Sequence, residues 1–294
     1  MRYAIRFDEA LGKELHRYTE GLVDDLVLEL LRCRYDLDSG IHNARKLVKE
    51  IRAVLRLLKP LQSESHFDNW QLLKAIGDST SNLRDRYVGF DLWASLAPQL
   101  ESHVDTDIIS RAFADDRARE TRSERFRHSL TETVEHLQVL STLMLQRKQT
   151  LLRPPPALEV NKDWLAEQFG HLYRKLLTTS VEAKGVLEAD GRHEQRKRGK
   201  DLLYALKLCK PVWNASLKKM SRKLGEQLEQ LGHANDLAVL EPSVIAKASE
   251  DPEGLRRWFD QQRQQIWMQV DEALPQILVD SEARFSRRVR KSLG

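Results

Sequence analysis

Glycine, proline and cysteine are all scarce in this chain of 294 residues, which contains 13 glycines, 9 prolines and 2 cysteines. Long stretches such as 106–152 contain neither glycine nor proline, and their apolar residues do not alternate as they do in a β-strand. These features predict an all-α fold. Cys33 and Cys209 are too few to form a framework of disulfides, so a reducing, cytoplasmic setting is expected.

Several functional classes also lack their usual signals. No apolar run approaches the roughly 20 residues that span a bilayer, and the first residues form no apolar signal-peptide core. The chain has no glycine-rich phosphate loop and no Cys/His spacing typical of a zinc site. Asp115 and Asp116 are followed by Arg117 and Arg119, where a Mg²⁺ site needs further carboxylates. We therefore expect no enzyme activity, no catalytic residue, no cofactor and no metal.

An amphipathic helix is predicted over residues 40–59, with Asp38 or Ser39 as its N-cap and Pro60 at its end. At about 100° per residue, apolar residues fill one face and basic residues fill the opposite one. The predicted apolar face comprises Leu47, Val48, Ile51, Val54, Leu55, Leu58 and Leu61. The predicted basic stripe comprises His42, Arg45, Lys46, Lys49, Arg52, Arg56 and Lys59.

The purity of this stripe favours a polyanionic ligand. Most charged helix faces are simply solvated, and these usually alternate acidic and basic residues for i, i+4 support. Here only Glu50, at the edge, interrupts the basic residues. Like charges stacked one turn apart repel each other, and a bound polyanion relieves that repulsion.

The stretch His42–Pro60 recurs without a gap at His193–Pro211, an offset of 151 residues, with eight of nineteen positions identical. Arg45, Lys46 and Lys49 return as Arg196, Lys197 and Lys200, although Arg52 becomes Leu203. A polar face that is kept in both copies is harder to explain by packing than an apolar one. The match predicts an internal duplication whose halves, 1–152 and 157–294, join at a proline cluster, 153–156.

Helical periodicity predicts two pseudo-symmetric four-helix bundles within a single domain, 1–294. The basic stripes are then expected to face one another across a pseudo-twofold axis and to line one channel. The predicted helices are 9–35, 40–59, 66–97 and 105–149, the last with a potential break, followed by 161–188, 193–209, 212–231, 234–248, 252–273 and 275–291.

The repeated pattern His-x-x-Arg-Lys-x-x-Lys, at 42–49 and again at 193–200, resembles the signature of CHAD domains, the conserved-histidine α-helical domains. Residues 3–7, 83–85 and 235–240 support the resemblance. It implies two pseudo-symmetric four-helix bundles that bind inorganic polyphosphate in a basic central cavity without catalysis. Some members carry a triphosphate-tunnel domain before this one, and the start at Met1 leaves no room for it, so a stand-alone member is expected, in the cytoplasm and associated with polyphosphate granules.

This chain departs from the common family pattern at three positions. Glu50 and Asp201 stand where many members have a basic residue, and Leu203 stands where many have Arg. Such changes are expected to weaken or reshape polyanion binding.

The expected polyphosphate site combines arginines for bidentate contacts with lysines as point charges, two histidines as further donors and one tyrosine hydroxyl. Single-stranded RNA or DNA is the alternative ligand, since attraction to a polyanion does not distinguish phosphate chains. The sequence shows no base-reading motif and no stripe of aromatics for base stacking, which favours polyphosphate. The expected site residues are His42, Arg45, Lys46, Lys49, Arg52, Arg56, His193, Arg196, Lys197, Lys200, Tyr204 and Lys207.

Overall fold

The structure is a computed structural model that describes residues 5–58, 65–100, 105–148, 160–185, 189–248 and 251–294. Over these residues the regular structure is entirely helical, as predicted, with ten α-helices and one 3₁₀ turn at Lys210–Val212. The helices are α1 (Leu11–Arg32), α2 (Leu37–Leu57), α3 (Ser65–Leu100), α4 (Thr106–Arg122), α5 (Glu124–Arg147), α6 (Lys162–Ala183), α7 (Ala189–Leu208), α8 (Ala215–Lys247), α9 (Pro252–Ile277) and α10 (Glu282–Leu293).

Some sequence expectations concern parts of the chain outside this description. Residues 59–61, which include the predicted stop at Pro60, and the predicted joint at 153–156 lie outside the described residues. Residues 3 and 4 of the supporting stretch 3–7 do so as well, and the side chains of residues 83–85 are not described.

The start of α2 is set by a different cap from the one predicted. Asp36, rather than Asp38 or Ser39, is the N-cap, and its carboxylate accepts a hydrogen bond from the Ser39 backbone N–H at 3.2 Å. The chain turns tightly from α1 into α2, and a Cβ on Gly40 would lie 2.8 Å from the Cys33 sulfur. A glycine is therefore needed for α2 to lie this close to α1.

The potential break in the segment 105–149 occurs, and it separates α4 from α5. Two predicted boundaries in the second half are wrong. The break predicted near Gly232 does not occur, because α8 continues through a glycine whose missing side chain makes room for Arg196. The helix boundary predicted at Pro275 lies further along the chain, because proline is accommodated in the last turn of α9 and Ser281 caps α10.

The buried apolar side chains of both halves form one continuous cluster, from Ile5 to Leu293. In the first half α1 packs on α2 and α5, and in the second half α6 packs on α7 and α10. The halves meet where α2 packs directly against α7. Within the described residues, no helix combines the length and the apolar character that crossing a membrane requires.

Glu14 in α1 anchors the chain before the helix. Its carboxylate is 3 % exposed and accepts a hydrogen bond from the Arg6 backbone N–H and 2.6–2.7 Å hydrogen bonds from Nη2 of Arg6 and of Arg17. The hydrogen bonds from Arg17 and then Arg6 hold the Glu14 pKa far below its usual range. We expect Glu14→Gln to lower the free energy of unfolding at pH 7 by about 2 kcal/mol, because the interaction involves a buried charge.

The effect of this change should depend on pH in a defined direction. A carboxylate whose pKa is lowered by folding stabilises the protein above its unfolded pKa, near 4.3, and that stabilisation is lost as the pH falls. The difference between wild type and Glu14→Gln in urea unfolding should therefore shrink from pH 7 to pH 3. Glu9→Gln, an exposed control, should change stability by less than about 0.5 kcal/mol. Equal stability of Glu14→Gln and wild type at pH 7 would contradict the assignment.

Candidate polyanion-binding site

Helix α2 buries its apolar face in the core, and its basic face points away from the core. Val48, Ile51, Val54 and Leu55 are buried in the core. Because these side chains are buried, the predicted basic stripe lies on the opposite side of the helix, as the helical periodicity requires. His42, Lys46 and Lys49 are exposed, and Arg45, Arg52 and Arg56 are half-buried.

Helix α7 has the same polarity. Leu202 and Leu206 are fully buried, and Arg192 anchors the start of the helix through a 2.6 Å ion pair with Asp271 of α9. The predicted basic residues again lie on the side of the helix that points away from the core. His193 and Lys197 are exposed, and Arg196, Lys200, Tyr204 and Lys207 are half-buried.

The two helices meet side by side and run in opposite directions. Asp201 of α7 contacts Arg56 of α2, with 2.5 Å between Oδ1 and Nη1. Further along both helices Glu50 of α2 and Lys207 of α7 attract each other electrostatically. The N-terminal basic residues of α2 therefore lie near the C-terminal end of α7, and the reverse holds at the other end of the contact.

A groove of about 990 Å³, which we call the junction groove, lies between α1 and α2 on one side and α7 and α8 on the other. Of the predicted site residues, Lys46 and Lys207 line it. Its lining mixes both signs of charge, with Leu22, Leu203 and Trp213 between them. The lining cations are Lys46, Lys207, Lys210, Lys218 and Arg222, and the lining carboxylates are Asp25, Glu29, Glu50, Glu226 and Glu229.

The half-buried lysines of α7 are partly shielded from water and lie near other charged groups. Burial lowers the pKa of Lys207, and the nearby Lys46 lowers it further, while Glu50 acts in the opposite direction. Burial also lowers the pKa of Lys200, with Arg196 adding to the effect. Each ammonium is thus less stable here than in water, mainly because it is buried, so a bound anion would stabilise its charge.

A second group of cations, which we call the arginine cluster, comprises Arg52, Arg56 and Arg198. The Arg52 and Arg56 guanidinium carbons lie 4.3 and 4.9 Å from the ring centre of Trp70 on α3. Arg198 lies 3.6 Å from Asp201, the carboxylate that Arg56 contacts. Burial lowers the pKa of Arg52 and of Arg56, but a guanidinium stays charged at neutral pH.

Sequence reasoning missed the partners of these cations. Glu50 and Asp201 stood out as departures from the family pattern, yet the cations that attract them from the other helix, Lys207 and Arg56, were not predicted. Glu50 and Asp201 are related by the same offset of 151 residues that relates the two basic stripes. The repeated acidic sign at this position was the available signal of a shared role.

One of the two adjacent aspartates in α4, Asp116, has a structural role. Asp116 forms a 2.6 Å ion pair with Lys247 of α8, and the hydrogen bond from Lys247 lowers its pKa. Arg119 lies 3.9 Å from the same carboxylate. In the part of the chain that the structure describes, no three His, Cys, Asp or Glu side chains come together as a metal site would need.

Comparisons with known proteins agree with this architecture. The crystal structure of the CHAD domain from the plant Ricinus communis matches with a TM-score of 0.60 and 18 % sequence identity, over 95 % of each chain. A search of curated protein sequences found no match. The family model for the CHAD domain matches residues 17–244, more than half of the chain. The chain therefore belongs to the CHAD domain family.

Proposed function

We propose that this protein binds inorganic polyphosphate, without catalysis, along the basic faces of α2 and α7. The observation that carries the proposal is the convergence of cations from two separate helices on one junction, where burial and, to a smaller extent, neighbouring cations lower the pKa of Lys200 and Lys207. A phosphate chain presents only repeated charged oxygens, which suits a row of cations without base-reading groups.

The side chains along this surface take different parts in binding. The exposed lysines, Lys46, Lys49 and Lys197, supply point charges, while arginines such as Arg45 offer two parallel N–H donors to one phosphate. His42 and His193 lie at the outer ends of the two stripes as further donors.

Tyr204 contributes a neutral donor. Burial raises the pKa of Tyr204, and the charge of Glu50 raises it further, so the phenol keeps its proton at neutral pH. Its ring also lies 4.6 Å from the Lys207 ammonium. The hydroxyl can therefore donate to a phosphate oxygen beside that lysine.

The absence of catalysis belongs to the proposal because chemistry on phosphate needs an activated nucleophile or a metal. Burial raises the pKa of Cys33 to about 11 and that of Cys209 as well, so neither thiol ionises readily at neutral pH.

We place the binding function in the cytoplasm, on free polyphosphate and on polyphosphate granules.

Competition between polyanions tests the proposal against the nucleic-acid alternative. At matched phosphate concentration and moderate salt, long-chain polyphosphate should displace fluorescent single-stranded DNA and RNA, and should bind at least about tenfold more tightly. Sugars and bases separate the phosphates of a nucleic acid, so fewer of them reach the cations at one time. Both ligands should weaken steeply with salt, so the salt dependence alone does not decide. Nucleic acid that binds as tightly as polyphosphate would favour the alternative function.

A further inference from the structure

Two carboxylates stand among the cations at the junction of α2 and α7. Asp201 contacts Arg56 across the junction, and its side chain is only 5 % exposed. Glu50 lies with Lys46 and Lys207 in the junction groove, and the charges of both lysines favour its ionised form. Each helix thus places one carboxylate where it attracts a cation of the other helix.

The two interactions are equivalent in sequence. The offset of 151 residues converts Glu50 into Asp201 and converts Arg56 into Lys207. The electrostatic attraction between Lys207 and Glu50 is therefore the sequence equivalent of the direct contact between Arg56 and Asp201. A chance surface ion pair has no reason to recur in this way.

Neither carboxylate is well suited to a purely stabilising role. Asp201 Oδ2 is buried and, among the described residues, accepts no hydrogen bond. Burial is the main influence on both groups and raises the pKa of Glu50 and that of Asp201 above their usual values. A charge that is costly to bury and only partly satisfied contributes little net stability.

We propose that Glu50 and Asp201 are the affinity-setting residues of the polyphosphate site, because Glu50 attracts Lys207 and Asp201 contacts Arg56, and both carboxylates therefore compete with phosphate oxygens for these cations. This inference rests on the proposed function. A phosphate chain that reaches Lys207 must approach the Glu50 carboxylate, and the repulsion between them subtracts from the binding energy. Only a ligand with many closely spaced charges gains enough elsewhere along the stripes to overcome that repulsion.

Glu50→Gln is the decisive test because Glu50 is half-buried, and glutamine keeps its shape while removing the charge. Long-chain sodium polyphosphate should bind this variant roughly tenfold more tightly than wild type, as expected for removing one nearby like charge. The plot of log affinity against log salt should steepen by about one unit, since one more cation of the protein becomes available to phosphate. A purely structural role for Glu50 would leave this slope unchanged.

Two further variants separate charge from shape and from net charge. Glu50→Asp keeps the charge and should bind within about twofold of wild type. Glu253→Gln makes the same change in net charge at an exposed glutamate paired with Arg256, outside the junction groove, and should also leave affinity within about twofold. Asp201→Asn should raise affinity in the same way as Glu50→Gln.

The outcomes distinguish this inference from the proposed function. Unchanged or weaker binding by Glu50→Gln, with wild type binding polyphosphate, would overturn the role of the carboxylates and leave the binding site intact. Failure of both wild type and Glu50→Gln to bind would overturn the proposed function itself, and this inference with it. Asp201→Asn leaves Arg56 without its buried partner and can unfold the protein. The result for Glu50 therefore decides, provided that its melting temperature is at least that of wild type.

Discussion

The double change Lys46→Glu with Lys197→Glu is expected to weaken polyphosphate binding by roughly a hundredfold or more. Both lysines are exposed, and they hold equivalent positions in the two basic stripes. Each reversal removes an attraction and adds a repulsion, so the change in charge is twice that of a neutral substitution. Titration with labelled long-chain polyphosphate at several salt concentrations measures the loss directly.

Exposed lysines are better targets here than the arginines one position before them. Arg45 and Arg196 are half-buried, and the Arg196 guanidinium lies 3.3 Å from the position a Cβ on Gly232 would take. Their reversal would disturb packing as well as charge. With the lysine pair, helicity and melting temperature should stay close to those of wild type.

A matched pair of reversals elsewhere controls for net charge. Arg257→Glu with Arg287→Glu changes the same number of charges at exposed positions on α9 and α10, away from the junction groove. This control should lose less than about threefold in affinity, through long-range repulsion that salt screens. An equal loss in both double variants would show that binding follows overall charge, with no localised site.

The basic faces of α2 and α7 could be predicted because helical periodicity is a local property of the sequence. The spacing of Val48, Ile51 and Leu55 determines which side of α2 is buried, and the basic residues then lie on the other side. The repeat at an offset of 151 residues predicted the same arrangement for α7.

The pairing across the junction could not be predicted in this way. The contact of Arg56 with Asp201 depends on α2 and α7 running in opposite directions, and no pattern within either helix encodes that relation. The helix break at Gly232 was wrongly predicted for a similar reason. A glycine within a helix is ambiguous until a neighbour such as Arg196 is known to require the space.

Chain length should have the largest effect on binding, with long-chain polyphosphate bound roughly a thousandfold more tightly than triphosphate, per molecule. Lys46 lies in the junction groove and Arg56 in the arginine cluster, about 15 Å apart along α2 at about 1.5 Å rise per residue. Triphosphate can reach the cations of about one helical turn, whereas a long chain can contact both groups at once. The second contact then forms within one complex and gains from high effective concentration.

Competition by chains of about 3, 15 and 60 phosphates, compared at equal molar concentration of chains, measures this dependence. Affinity should rise steeply until the chain spans both groups of cations, and only weakly thereafter, because additional phosphates add no new contact. In the Lys46→Glu with Lys197→Glu variant the steep part should flatten, since one end of the span is lost. If triphosphate bound wild type within about tenfold of the long chain, a single compact pocket would replace the extended site along α2 and α7.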